Sequence, residues 1–205
     1  MKLTAVQEDA LIELLNIGFG RAASSLSQLT GHRVLLEVPH VTIHPIDEVT
    51  ASLERVILTD VASVHQIVSG AVSGDALLIL DQAGASMLKE LLTNEPALPL
   101  SIDASAREVI TEVGNIVLNA CLGVFGNLLR VQVSFSVPRL HVESVEQVFS
   151  SITVADRELE YALMIHTRFF VQTENVSGYL VIVLGVTSLD RLLYEVRQWE
   201  ERQMA

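Results

Sequence analysis

The strongest constraint on the fold is that the chain carries one pattern twice. Residues 9–41 and 108–140 superpose at a constant offset of 99 with no insertion or deletion. The matched polar and proline positions are Glu13 with Glu112, Asn16 with Asn115, and Pro39 with Pro138. An internal repeat of this length predicts two equivalent structural units related by a pseudo-two-fold axis.

The two copies also correspond, less closely, in their second halves. Residues 72–74 and 176–178 both read Val-Ser-Gly, and each is followed by an apolar run and a helical pattern. Their offset is 104, which implies about five extra residues in a loop or strand of the second copy. The breaker at 94–99 is too short for a flexible linker. We therefore expect one domain, 1–205, made of two repeats of about 1–99 and 100–205.

Hydrophobic periodicity predicts the elements of each copy. Apolar residues at three- and four-residue spacing predict long amphipathic helices over about 5–30 and 104–128. Alternating segments such as 131–137 predict strands, and a second helix closes each copy. The fold class is α/β (α+β), with mostly antiparallel strands in one continuous sheet and pseudo-two-fold symmetry.

Each long helix carries three polar residues at positions i, i+4 and i+7. They are Asp9, Glu13 and Asn16 in the first copy, and Glu108, Glu112 and Asn115 in the second. Seven residues at about 100° each make about two turns, so each trio lies on one stripe. A solvated helix face is the simple interpretation. A functional site on the helix surface is the alternative, because Asn is a poor residue for a helix interior and occurs here at the same point in both copies.

Glycines lie beside both stripes. Gly18 and Gly20 follow the first Asn, and Gly114 precedes the second. Each costs about 1 kcal/mol in a helix interior relative to Ala. Two interpretations are equally good: close approach of a partner at the stripe, or tight packing of the helix inside the fold.

The spacing Asp-x3-Glu-x2-Asn-x22-Pro at Asp9, Glu13, Asn16 and Pro39 resembles the signature of the CheC/CheX/FliY phosphatase family. The second copy repeats the spacing with Glu108 where the family has Asp or Ser. Two motifs in one chain resemble CheC more than CheX, which carries one. FliY has an additional C-terminal domain, which has no counterpart in this sequence.

The resemblance implies hydrolysis of the aspartyl-phosphate on a phosphorylated CheY-type response regulator. It implies that Asn16 and Asn115 position the attacking water, an amide role that needs both a donor and an acceptor. Glu13 and Glu112 would pair with a lysine of the receiver. No cofactor of the chain's own is expected, because Mg²⁺ is carried by the receiver.

The remaining motif positions have lesser expected roles. Asp9 and Glu108 would add a polar contact to the partner or be solvated. Pro39 and Pro138 are expected to end strands and fix their path from the motif helix, because Pro has no N–H for a ladder.

Charge and composition exclude several classes of function. The net charge of −12 disfavours nucleic acid and anionic membrane surfaces as partners. A single cysteine fits a reducing compartment, and neither a signal peptide nor a membrane-spanning run is evident. We expect a cytoplasmic protein with no membrane insertion. We also expect a monomer, because the repeat supplies within one chain what a homodimer supplies elsewhere.

No second chemical constellation is evident. The six histidines suggest no metal site: His40 and His44 lie in an extended segment, and the others are scattered. Cys121 corresponds to Ala22 and is expected to be a small core residue. The Gly-rich segment at 17–21 lies within a helix and lacks the later glycine of a nucleotide site.

Two other functions compete with phosphatase. The chain could be an adaptor that keeps the fold and holds CheY-P, a CheD-type receptor deamidase or flagellar switch components. Retention of both Glu-x-x-Asn pairs favours the enzyme, because an adaptor does not need them. A small-molecule sensor with a cleft between the repeats has no supporting residue cluster.

Overall fold

The computed structural model describes residues 3–93, 102–128, 130, 132–155, 159–171 and 174–204. The breaker at 94–99 and Val131, at the start of a predicted strand, lie outside these residues. The first half contains α1 (Ala5–Thr30), β1 (Val34–Pro45), α2 (Ile46–Glu54), β2 (Val61–Gly70), β3 (Gly74–Asp81) and α3 (Gln82–Thr93). The second half contains α4 (Ala104–Leu128), β4 (Val133–Phe135), β5 (Arg139–Glu143), α5 (Val145–Ala155), β6 (Leu159–Val171), β7 (Glu174–Gly185) and α6 (Val186–Met204).

The strands of both halves form one antiparallel sheet in the order β1-β6-β7-β3-β2-β4, with β5 also paired to β2. The order reads the same from both edges when the copies are exchanged, so a pseudo-two-fold axis passes between β3 and β7. The first strand of each copy pairs with the hairpin of the other copy. The predicted α/β class, continuous sheet and pseudo-symmetry are confirmed.

Helices cover both faces of the sheet. Alternate residues of β3 show the division, with Leu78 in the core under α1, α3, α4 and α6, and Leu77 in the core under α2 and α5. Each copy therefore has three helices instead of the predicted two, and α2 and α5 are the additions. The extra length of the second copy lies in its hairpin, where β6 and β7 have 13 and 12 residues against 10 and 8 in β2 and β3.

The two long helices have the predicted bounds and matching ends. Thr4 begins α1 with a capping box to Gln7, and Asp103 caps α4 by accepting a hydrogen bond from the backbone N–H of Ala106 at 2.7 Å. Gly31 follows α1 with φ 72°, and Arg130 occupies the same place after α4 with φ 58°. The repeat in sequence is thus a repeat in local structure at both ends of the helix.

The segment Ala104–Asn127 is long and apolar enough to span a membrane by length and composition alone. Half of its most apolar window is buried in the fold, where α4 packs on α1 and on the sheet. A buried core helix has this composition for the same reason that a membrane helix does, because both are surrounded by apolar groups.

Candidate functional site

The first motif lies on the outer face of α1. Asp9, Glu13 and Asn16 are all exposed. The opposite face of the helix is buried in the core, and its members are Ala10, Leu11, Leu14, Leu15, Gly18, Phe19, Ala22, Ala23 and Leu26. Burial of that face fixes the rotation of the helix, so the three polar side chains are presented outward from a rigid element.

The second motif lies on α4 with the same spacing but a different exposure. Glu108 and Glu112 are exposed, whereas Asn115 is half-buried. Its Oδ1 accepts a hydrogen bond of 2.6 Å from Nδ2 of Asn119, one turn further along the helix. Asn16 makes no hydrogen bond through its side chain to any described residue, and Gly20 stands where the second copy has Asn119.

The four motif carboxylates are unpaired within the described part of the chain. Ion pairs occur elsewhere, for example between Arg191 and Glu195 on α6, but none involves Asp9, Glu13, Glu108 or Glu112. The glutamates can therefore form a charge-assisted hydrogen bond with an incoming cation without first breaking an internal pair.

The glycines near the motifs do not all have the same role: some allow tight packing inside the fold, and one leaves the surface open to a partner. A Cβ on Gly18 would lie 2.9 Å from Cα of Cys121, and one on Gly114 would lie 2.5 Å from Cβ of Val64. Gly18 thus lets α1 pack closely on α4, and Gly114 lets α4 pack on β2. A Cβ on Gly20 would meet nothing within 4 Å. Internal packing explains Gly18 and Gly114, while Gly20 leaves the surface beside Asn16 open.

The prolines do not end strands in the way the sequence predicted. Pro39 lies inside β1, where the register with β6 shifts between Glu37 and His40 and pairing then resumes as far as Pro45. Pro138 lies in the interruption between β4 and β5, and both of these strands pair with β2. A proline at a bulge removes only a donor that the bulge already leaves out of the ladder, so the strand continues beyond it.

Five of the six histidines lie on strands, and His32 lies in the bend between α1 and β1; some are closer together than the sequence suggested. Nε2 of His65 lies within hydrogen-bonding distance of the Asp75 carboxylate, and the ring centroids of His65 and His141 are 6.3 Å apart. His166 stacks on Tyr179 with 5.2 Å between ring centroids. Burial, with Arg168 nearby, lowers the pKa of His166. Among the described residues no group of three or more His, Cys, Asp or Glu side chains could hold a metal ion.

Cys121 is fully buried between the two motif helices, as expected from its match to Ala22. Burial raises the pKa of its thiol well above the usual value. A thiol that stays protonated and inaccessible is a poor nucleophile. The structure therefore agrees with a packing role for this residue.

Sequence reasoning missed two residues near the second motif. Asn119 continues the polar stripe at i+4 from Asn115, and this spacing was a signal for it. Gln66 lies on β2 at a position that faces the core, is 2% exposed, and donates from Nε2 to Oδ1 of Asn119 at 3.2 Å. The only sequence signal for Gln66 was that a polar residue occupies an inward-facing position of a predicted strand.

Comparison with known proteins agrees with this geometry. A model of the CheC-like family matches residues 6–43, which include the first motif as far as Pro39. The CheY-P phosphatase CheC of Bacillus subtilis (strain 168) is 24% identical over 192 residues, covering 91% of this chain and 91% of that protein. The flagellar motor switch phosphatase FliY of the same organism is 22% identical over 161 residues, covering 77% of this chain and 41% of that protein.

A solved structure shows the same fold over the whole chain. The crystal structure of Thermotoga maritima FliY superposes with a TM-score of 0.78 at 17% identity, covering 99% of this chain and 100% of that one. The fold is that of an α/β protein with two equivalent helices over one antiparallel sheet. In its paired motifs, its sequence relatives and its fold, the chain is similar to the CheC/FliY family.

Proposed function

We propose that this protein is a CheC-like phosphatase that hydrolyses the aspartyl-phosphate of a phosphorylated CheY-type response regulator in chemotaxis. The observation that carries the proposal is a Glu–Asn pair on each of two helices fixed by the core, in which both glutamates and Asn16 are exposed and Asn115 is half-buried. The names of the CheC and FliY relatives as phosphatases support the same activity. We expect this activity in the cytoplasm, because the single cysteine fits a reducing compartment.

The proposed chemistry divides between the two residues of each pair. An acyl phosphate is already activated, so the main requirement is a water held in line with phosphorus. The amide of Asn16 or Asn115 holds that water, and Glu13 or Glu112 pairs with a receiver lysine and sets the register of the helix. Asp9 and Glu108 add polar contacts at the rim. Mg²⁺ belongs to the receiver in this scheme, and the chain supplies no cofactor.

The direct test is loss of phosphate from a phosphorylated CheY-type receiver, followed over time with and without the wild-type protein. We expect hydrolysis faster than the receiver's own rate at substoichiometric amounts of protein, because each helix is free to dock and leave. A receiver that binds but loses phosphate no faster would contradict the enzyme and favour the adaptor. Binding of a CheD-type deamidase or a switch component, measured in parallel, would identify that role.

A second prediction concerns docking. Reversal of both glutamates, Glu13→Lys and Glu112→Lys, should weaken binding of the phosphorylated receiver by about tenfold or more, because a charge-assisted hydrogen bond becomes a repulsion at each site. The matched control is Glu54→Lys with Glu146→Lys, which changes net charge equally on exposed residues of α2 and α5, across the sheet from the motifs. Equal loss of affinity in both double variants would show a general charge effect and remove the assigned docking role.

A further inference from the structure

A buried glutamine connects the second motif to the strand interruption at Pro138. Nε2 of Gln66 donates to the backbone oxygen of Ser136 at 2.8 Å and to Oδ1 of Asn119 at 3.2 Å. Nδ2 of Asn119 donates in turn to Oδ1 of Asn115 at 2.6 Å. Three side-chain amides therefore form a continuous chain from the sheet to the motif residue.

The backbone carbonyl at the start of this chain fixes its direction. A carbonyl oxygen only accepts, so Gln66 must turn its NH₂ group toward Ser136. The same NH₂ group reaches Asn119, which must therefore accept through Oδ1 and donate through Nδ2. Asn115 must then accept through one lone pair of Oδ1, so its NH₂ group and the second lone pair of Oδ1 have no partner among the described residues. The orientation of the Asn115 amide is thus determined by the carbonyl oxygen of Ser136, to which it is connected through three successive hydrogen bonds.

The interruption between β4 and β5 makes that main-chain atom available. The backbone N–H of Ile67 donates to the hydroxyl Oγ of Ser136 at 2.9 Å, and the N–H of Ser136 donates to the oxygen of Ile67 at 3.0 Å. The carbonyl of Ser136 is thereby left for Gln66. Pro138, which has no N–H, lies in the same interruption. The distal proline of the second motif thus lies two residues from the carbonyl at which the hydrogen-bonded chain to Asn115 begins.

Among the described residues, the first copy has no corresponding chain of amides. Gly20 occupies the place of Asn119, and Thr167 is the residue of β6 that faces the bulge in β1. The hydroxyl of Thr167 is buried and makes no hydrogen bond with any described residue. Asn16 is exposed, with nothing in the described part of the chain to orient its amide.

We propose that Gln66 and Asn119 are positioning residues of the second site, holding the Asn115 amide with its NH₂ group ready to donate, while Asn16 rotates freely. The expected effect on hydrolysis rests on the proposed function, whereas the expected difference in mobility between the Asn115 and Asn16 amides does not. An amide already held in its working orientation loses less freedom when the receiver docks. The second site is therefore preorganised by residues that contact neither the attacking water nor the phosphoryl group.

NMR relaxation of the side-chain amides, measured on the ¹⁵N-labelled protein without the receiver, tests the positioning role. We expect the NH₂ group of Asn115 to be as restricted as the helix backbone, with an order parameter of about 0.8, and that of Asn16 to be below about 0.6. Asn119→Ala and Gln66→Met should each increase the mobility of the Asn115 amide and leave that of Asn16 unchanged. Asn119→Ala alters only a half-buried helix surface, so it remains decisive if Gln66→Met misfolds. Equal mobility of the two amides in the wild type, or no change in the variants, would overturn the proposal.

Hydrolysis in an Asn16→Ala background isolates the second site. Adding Asn119→Ala should lower kcat by about tenfold with KM nearly unchanged, because Glu112 still docks the receiver while the amide is no longer held. In an Asn115→Ala background the same change should have no effect on the first site. A loss in both backgrounds, or a rise in KM alone, would contradict a positioning role. Absence of hydrolysis in the wild type would instead refute the proposed function, and the relaxation result would still decide the positioning.

Discussion

At the residue scale, the two motif asparagines have different surroundings, because Asn16 is exposed and Asn115 accepts a hydrogen bond from Asn119. Asp9, Glu13 and Asn16 are exposed on one stripe, as helical spacing alone requires. The different state of Asn115 depends on a contact between Gln66 and Asn119, which are 53 positions apart. No local pattern specifies such a contact, because it requires the strand and the helix to be placed by the whole core.

Cys121 gives a prediction at the same scale. Its thiol is fully buried and its pKa is raised by burial, so the thiolate form is suppressed in the folded protein. An aromatic disulfide reagent should give no rapid reaction in native buffer, even at pH 9, and one equivalent of reaction in denaturant. Cys121→Ala, which copies Ala22 of the first repeat, is the control and should fold without giving a signal. Rapid reaction of the native protein would contradict the buried position.

At the scale of elements, prediction succeeded where the signal was long. The bounds of α1 and α4 follow from many turns of amphipathic periodicity with capping residues at their starts. The helices α2 and α5, of nine and eleven residues, were missed because two or three turns of periodicity do not separate a helix from a loop. Pro39 was expected to end a strand, but β1 continues past it through a bulge that local sequence does not reveal.

The packing of α1 on α4 gives a prediction for two glycines of one helix. Gly18→Ala would place a Cβ 2.9 Å from the Cα of Cys121 and should lower the free energy of unfolding by about 1–3 kcal/mol. Gly20→Ala meets nothing within 4 Å and should raise it by about 0.5–1 kcal/mol, because Ala is the better helix former. Urea unfolding of both variants measures the difference. Equal stabilisation by the two changes would show that the helices are not in close contact.

At the scale of the whole molecule, the duplication explains why the motif occurs twice. The repeat in sequence predicted a pseudo-two-fold axis, and the sheet order about β3 and β7 has it. The exchange of first strands between the copies was not predicted, because strand partners depend on surfaces that each half lacks alone. This exchange builds both motif helices onto a single sheet, so the two sites share one scaffold and differ in their local contacts.

One assay tests whether the two asparagines carry the hydrolysis. The rate of phosphate loss from a phosphorylated CheY-type receiver is compared for wild type, Asn16→Ala, Asn115→Ala and the double variant. Asn127→Ala, an exposed change near the end of α4, serves as the control. We expect each single variant to retain part of the activity, and the double variant to fall by about 10²-fold or to the receiver's own rate while still binding it. A double variant that hydrolyses as fast as wild type would contradict a catalytic role for the two asparagines.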